Sequence, residues 1–254
     1  MNFDNLFINF LPFAPLVDPV GEIPVQPFVG LRNGDFDRLP LLSGTVRDEG
    51  LMFVDELFTK PLTKTAYNAA LVAIFRDISP EVLKAYPYDI VEGTVDGRDA
   101  MNVMATDLLF YCPLRNATRS YQALTTPEDM SPAYNYKFDH VLSFDCWGEG
   151  YEFCVGVVCH GSDLPFVFNV FSDGITVDYD TTADEDALTQ DMTHAWSNFI
   201  TTGNPNKGKA INKHYPQYTG KADEVLVLNE PETSVGVHMR EKYCDMWDRL
   251  GYFY

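Results

Sequence analysis

The sequence has little positive charge and no long apolar run. It contains 18 lysines and arginines against 37 aspartates and glutamates, which gives 254 residues a net charge of −19 at pH 7. A chain this acidic repels the phosphates of nucleic acid and the anionic face of a membrane. No stretch approaches the roughly 20 apolar residues that a membrane-spanning helix needs. We therefore expect no nucleic-acid partner and no membrane span.

The N-terminus lacks the basic segment that opens a secretory signal peptide, since it reads MNFDN. Five cysteines and the sequon Asn116-Ala117-Thr118 nevertheless suggest a secreted protein, with Asn116 as a candidate glycosylation site. Sequons also occur by chance, which leaves glycosylation of Asn116 open. Loss of a natural N-terminus would reconcile the missing signal with these secretory features.

The hydrophobic pattern mixes helices and strands without a repeat or an internal domain boundary. The clearest predicted helix covers residues 183–202, where Thr182 and Glu185 form a capping box and Gly203 ends the helix. Residues 10–30 favour extended segments and turns. Other helices are predicted over residues 63–76, 98–111, 112–124 and 238–250, and strands over 38–42, 133–144 and 224–228. This mixture predicts an α/β layer architecture.

Two predicted loops carry residues suited to acid–base catalysis. His160 follows an apolar segment and leads through a short polar turn into the apolar sequence LPFVF, which predicts a loop that enters a helix. Glu49 lies in the loop after the strand predicted over residues 38–42. A catalytic triad needs a base that accepts the proton of a nucleophile and an acid that orients that base. An acid that precedes the histidine matches the chain order of one class of triads.

Several segments together resemble the C-terminal part of the type-B carboxylesterases, the family that includes the cholinesterases. They follow the family's order and extend over nearly the whole chain: PFAPLVD (12–18), LPLLSGT (39–45), RDEG (47–50), HGSDLPFVF (160–168), WSNF (196–199), TGNPN (202–206) and CDMW (244–247). The resemblance implies that residues 1–254 form the C-terminal portion of an α/β-hydrolase fold. This portion would be an incomplete fold with a mixed sheet flanked by helices.

The resemblance also implies roles for individual residues. Glu49 would be the triad acid and His160 the general base, and Phe53 would line the substrate gorge. Intact members of the family transfer the acyl group of a small-molecule carboxylic ester to a serine and then to water, without a cofactor. The resemblance further implies that an intact member is secreted or belongs to the secretory pathway.

The serine nucleophile expected from the family is absent from these 254 residues. The family places it in a Gly-x-Ser-x-Gly turn, but no serine here has glycine at both second-neighbour positions, and the glycine-rich oxyanion segment is also missing. Ser162 belongs to the histidine loop. We therefore expect the chain alone not to hydrolyse esters by the triad mechanism. Two alternatives stay open: a non-catalytic module for adhesion or recognition, and a fragment that complements a separate N-terminal half.

The five cysteines predict disulfides. The resemblance implies a bridge between Cys112 and Cys244. A second bridge between Cys154 and Cys159 would tether the loop that carries His160. Cys146 then has no assigned partner. Three alternatives stay open: it pairs with Cys154 or Cys159, it stays free, or it has a partner outside this sequence.

We expect no metal site in the chain. Haem attachment requires Cys-x-x-Cys-His, and the spacing before His160 is longer than that. Zinc would need further ligands at regular spacing, and none is evident. An acidic stretch does not follow the spacing of an EF-hand and is better explained as a solvated loop before a helix; it comprises Asp173, Asp178, Asp180, Asp184 and Asp186.

Overall fold

The computed structural model describes residues 17–124, 131–172 and 178–252. The segment 12–16 of the first matching motif and Asp173 lie outside these ranges. The described strands are β1 (Leu41–Val46), β2 (Ala133–Phe138), β3 (Val225–Leu228) and β4 (Ser234–Gly236). The described α-helices are α1 (Pro27–Asn33), α2 (Leu51–Leu57), α3 (Lys64–Phe75), α4 (Ser79–Ala85), α5 (Gly97–Thr106), α6 (Cys112–Leu124), α7 (Leu164–Phe168), α8 (Ala183–Thr202) and α9 (Glu241–Leu250).

The strands form a mixed sheet in the order β1-β2-β3-β4. The first three strands run parallel, and β4 adds antiparallel to β3. Val46 pairs with Phe138, and Phe138 pairs with Leu228, so the parallel strands end at one edge of the sheet. The turn that holds Glu49 follows β1 at this edge.

Helices pack on both faces of the sheet, with Tyr121 of α6 against Leu41 and Ala133 on one face, and other helices form a second core of their own. Side chains of the strands pack against α7 and α8, and this core includes Phe138, Phe166, Leu188, Met192 and Leu226. Helices α2 to α5 and α9 pack around a second cluster, which includes Tyr67, Leu71, Met101 and Trp247. This mixed sheet flanked by helices confirms the fold class expected from the sequence. Among the described helices, none has both the length and the apolar character to cross a bilayer.

The helix predicted over 183–202 is confirmed as α8. The Thr182 hydroxyl accepts the Glu185 backbone N–H at 3.2 Å, and the Glu185 carboxylate accepts the Thr182 N–H at 2.8 Å. The same buried carboxylate accepts the backbone N–H of Ser143 at 2.8 Å. Gly203 ends the helix with a φ of 72°, a backbone conformation that glycine adopts without strain. Local capping therefore also secures α8 to the loop after β2.

One prediction of element type is wrong in part, and several predicted elements begin or end at other residues. Residues 27–33 form helix α1, where an extended segment was predicted. Strand β1 starts at Leu41 and continues to Val46, because its backbone pairs with β2 over that length. Strand β2 ends at Phe138, and α9 begins at Glu241. Between α5 and α6 the chain follows a π-helix over Asp107–Tyr111, so the predicted helix over 98–111 changes geometry part of the way along.

The structure contains two disulfides within the described residues. Cys112 at the start of α6 is bonded to Cys244 in α9, across a sequence separation of 132 residues. Cys154 is bonded to Cys159, immediately before His160. Cys146 is a half-buried free cysteine, and burial raises the pKa of its thiol.

Candidate active site

The turn after β1 holds Glu49 in a buried position, with only 5% of its surface exposed. Its Oε1 accepts the backbone N–H of Val46 at 2.8 Å, and the next backbone N–H, of Gly50, donates to the Thr106 hydroxyl at 2.9 Å. A β-carbon at Gly50 would lie 2.8 Å from the carbonyl oxygen of Asn102, so only glycine lets the turn lie against α5. The hydrogen bond from Val46 and the packing of the turn against α5 together fix the position of the Glu49 carboxylate.

The structure brings His160 and Glu49 together, although 111 residues separate them. The His160 Nδ1 lies 2.5 Å from Glu49 Oε2. The His160 side chain is 46% exposed. The hydrogen bond to Glu49, aided by the negative charge of that carboxylate, raises the pKa of His160, and partial burial opposes this rise. Within the described residues, Nε2 of His160 has no hydrogen-bond partner, so it remains able to accept a proton.

The loop before His160 is cross-linked internally and is hydrogen-bonded to the turn that carries Glu49. The disulfide between Cys154 and Cys159 closes the loop on itself. Asp48, next to Glu49, accepts the Val158 backbone N–H on its Oδ2 at 3.1 Å and donates its own N–H to the Val158 carbonyl at 3.0 Å. The turn that carries Glu49 and the loop that carries His160 are therefore joined by backbone hydrogen bonds as well as by the contact between the two side chains.

Two phenylalanine rings pack beside the imidazole. The ring centroids of Phe53, in α2, and of Phe110, in the π-helix, each lie 5.4 Å from that of His160. The two phenylalanine rings lie 5.6 Å from each other. Phe53 also lines an apolar pocket of about 80 Å³ together with residues of α2, α3 and α5. Phe110 was not identified from the sequence, because no local pattern shows that the π-helix turns it toward the histidine.

A second carboxylate near His160 was also missed. Asp163 is half-buried at the start of α7, and its Oδ2 accepts the Tyr136 hydroxyl at 2.9 Å. Burial raises the pKa of Asp163, and the negative charge of Glu49 adds to the rise. Ser162 lies between Asp163 and the histidine, is fully buried, and its hydroxyl has no hydrogen-bond partner within the described residues. That hydroxyl therefore makes no hydrogen bond to His160 among the described residues.

The sequon lies within helix α6 rather than in an exposed loop. The Asn116 amide donates to Asp248 Oδ1 at 2.6 Å. Thr118 is fully buried, and its hydroxyl donates to the side-chain oxygen of Asn135 at 3.2 Å. The side chains of Asn116 and Thr118 are therefore both hydrogen-bonded within the folded chain.

Three potential metal ligands converge away from the histidine loop. Donor atoms of Asp223, His238 and Glu241 lie within 4.8 Å of one another. The Arg115 guanidinium contacts the same Asp223 carboxylate at 2.5 Å and lies 3.8 Å from Glu241. Because this arginine already neutralises the acids and would repel a cation, the cluster does not fit a metal ion.

The mixed sheet, with a carboxylate–histidine pair beyond its parallel strands, places the chain in the α/β-hydrolase class. Two solved esterase structures share the fold. A "thermophylic PNB esterase" superposes with a TM-score of 0.66 at 25% identity, over 92% of this chain and 43% of that chain. A "PNB esterase" superposes with a TM-score of 0.65 at 24% identity, over the same shares of the two chains.

The chain belongs to the carboxylesterase family, whose model matches residues 2–247. The crystal protein of Dictyostelium discoideum is 28% identical over 98% of this chain and 44% of that protein. The acetylcholinesterase of Danio rerio is 26% identical over 94% of this chain and 43% of that enzyme. The family resemblance inferred from the motifs is confirmed, and the chain spans less than half the length of these relatives.

Proposed function

We propose that this chain provides the acid and the base of a carboxylic ester hydrolase. Residues 1–254 would correspond to the C-terminal part of a type-B carboxylesterase domain, and the substrate would be a small-molecule ester. The observation that supports this most directly is the 2.5 Å contact between Glu49 and His160 in a member of the carboxylesterase family. The two disulfides support an oxidising, secretory compartment for the protein.

The proposed mechanism assigns one step to each side chain. The Nδ1–H of His160 donates to the buried carboxylate of Glu49, which fixes the tautomer and leaves Nε2 as the proton acceptor. Nε2 removes the proton of a serine hydroxyl as its oxygen attacks the ester carbonyl, and Glu49 stabilises the resulting imidazolium. His160 then returns the proton to the departing alcohol. The rings of Phe53 and Phe110 would shield this proton transfer from water and contact an apolar part of the ester. No step requires a cofactor.

The chain alone is expected not to turn over esters. A base without an aligned nucleophile and an oxyanion hole retains little catalytic power. The test compares the purified chain with His160→Ala on p-nitrophenyl acetate. Both proteins are expected to show no saturable turnover above the rate that free histidine gives at the same concentration. Saturable turnover that disappears in His160→Ala would show that the chain contains its own nucleophile.

One observation favours complementation by a separate polypeptide. Within the described residues, β1 pairs only with β2, so one row of its backbone N–H and C=O groups has no strand partner. Such an edge readily adds another strand. We propose that a chain carrying the Gly-x-Ser-x-Gly turn and the oxyanion segment pairs here and completes the site.

Complementation is tested by mixing two polypeptides. The chain is combined with the N-terminal part of a carboxylesterase relative, covering the portion that this chain does not span. Ester turnover is expected only in the mixture, and it should be lost both with His160→Ala here and with alanine in place of the partner's serine. A mixture that binds but stays inactive would favour a recognition module instead.

A further inference from the structure

We propose that Tyr136 and Asp163 are a positioning pair that holds the loop of His160 in place. This inference rests on the proposed function of His160 as a general base. The pair is distinct from Glu49, the proposed triad acid, because Tyr136 lies on β2 and Asp163 lies on the loop that carries His160.

Tyr136 is a rigid anchor for this loop. Its hydroxyl donates to Asp163 Oδ2 at 2.9 Å, and its ring packs edge-to-face on Trp196 of α8 with centroids 5.0 Å apart. In the β1–β2 register Gly44 lies opposite Tyr136, and any β-carbon at Gly44 would overlap the tyrosine ring. The ring therefore lies across the strand that leads to Glu49. One hydrogen bond thus connects the histidine loop to the strand pair that positions the acid.

The backbone between His160 and Asp163 is short and internally bonded. The Ser162 N–H donates to the Cys159 carbonyl at 3.0 Å, and the Leu164 N–H donates to the Gly161 carbonyl at 3.1 Å. Gly161 has a φ of 87°, which tightens the turn. On the N-terminal side of His160, Cys159 is held by its disulfide. On the C-terminal side, Asp163 is held by its hydrogen bond to Tyr136. Displacement of Asp163 would therefore move the imidazole.

The charges around His160 give the pair a second effect. Among the described residues, Glu49 from the turn after β1 bonds to the imidazole, the uncharged rings of Phe53 and Phe110 pack beside it, and Asp163 from its own loop acts on it through its charge. The negative charge of Asp163 adds to that of Glu49 in raising the pKa of His160.

Tyr136 keeps the charge of Asp163 in place. Its hydrogen bond opposes the rise in the pKa of Asp163 that burial causes, and so favours the ionised carboxylate. Burial, together with the charges of Asp163, Glu49 and the nearby Tyr215, raises the pKa of Tyr136, so the phenol remains a donor.

The test is a titration of His160 by NMR in the whole chain, with Asp163→Asn and Tyr136→Phe. Both variants are expected to lower the titration midpoint of His160, Asp163→Asn by removing the charge and Tyr136→Phe by making the carboxylate easier to protonate. Both should also weaken the downfield Nδ1–H signal of the bond to Glu49, because a looser loop exchanges that proton faster. A residue that only supported the fold would leave this signal and the midpoint unchanged.

Two matched controls separate the pair from general effects. Tyr134→Phe removes a hydroxyl from the same strand, where that ring packs on Phe199 instead. Asp184→Asn removes one negative charge from the first turn of α8. Both are expected to titrate as wild type. Tyr136→Phe removes a single oxygen, so it keeps the test valid if Asp163→Asn does not fold.

An unchanged midpoint in folded Tyr136→Phe and Asp163→Asn would overturn the positioning role. None of these measurements requires ester turnover. Failure of the complementation assay with an altered titration would therefore contradict the proposed function alone. Successful complementation with an unaltered titration would contradict only the positioning pair.

Discussion

Glu49 is the residue on which the proposed chemistry depends most. A buried charge is costly unless its oxygens are occupied. Here one oxygen accepts the Val46 N–H and the other pairs with His160, so each of the two has a partner. The histidine in turn is held in one orientation with its second nitrogen unbonded within the described residues. The Glu49 carboxylate therefore sets the tautomer of the imidazole and is the largest cause of its raised pKa.

Glu49→Gln is expected to destabilise the chain more at pH 6 than at pH 9. The pKa of His160 is raised above its ordinary 6.5 in the folded chain, because the imidazolium is stabilised by Glu49. This contribution to the free energy of unfolding is fully present below the ordinary pKa of histidine, and it is lost as the pH rises through the raised pKa. Urea unfolding of both proteins at the two pH values measures the difference. A penalty that is the same at pH 6 and pH 9 would contradict this linkage.

Among the secondary-structure elements, β1 and β2 determine the site. Their parallel register places Gly44 against the ring of Tyr136 and ends both strands at the edge where Glu49 and the histidine loop meet. The glycine has a packing role here, since its φ is not in the left-handed region. The π-helix after α5 has a comparable role, because it directs Phe110 toward the imidazole.

Gly44→Ala is expected to lower the free energy of unfolding by about 1–3 kcal/mol, because the added methyl overlaps the Tyr136 ring and forces a backbone or side-chain shift. Gly220→Ala is the control, since its β-carbon would meet only the Arg119 side chain at 3.7 Å. The control should stay within about 0.5 kcal/mol of wild type. Urea unfolding measures both, and equal stability of the two variants would show that the Tyr136 ring is not confined by β1.

At the scale of the whole molecule, the longer disulfide joins distant parts of the chain. Cys112 and Cys244 connect α6 with α9 inside the helical core, whereas Cys154 and Cys159 close a loop of only a few residues. In the chain-entropy model a cross-link stabilises the native state by restricting the unfolded chain, and the effect grows with the loop it closes. The long-range bridge is therefore the stronger constraint on the fold.

The double variant Cys112→Ala with Cys244→Ala is expected to lose about 5 kcal/mol of unfolding free energy in that model, against about 2 kcal/mol for Cys154→Ala with Cys159→Ala. The short bridge is the internal control, because both variants remove two cysteines. Urea unfolding under non-reducing conditions gives the comparison. An equal loss in both would mean that local packing, not loop length, sets their contributions.

The acid and the histidine of the candidate site could be predicted from local motifs, but the residues that surround them could not. Glu49 and His160 lie in segments with recognisable chain order and composition. Tyr136 and Asp163 are 27 residues apart, and each looks ordinary in its own segment. Strand and helix ends were displaced for a similar reason, since pairing with β2 decides where β1 begins and ends.

The sequence by itself determined the family and the best helices, because motif order and capping act over a few neighbouring residues. The two ends of helix α8 follow from Thr182, Glu185 and Gly203. Only the tertiary structure decided that Glu49 and His160 lie 2.5 Å apart, with two phenylalanine rings and Asp163 nearby. These contacts depend on parallel strand pairing, a disulfide and a π-helix, which bring together residues that lie far apart along the chain.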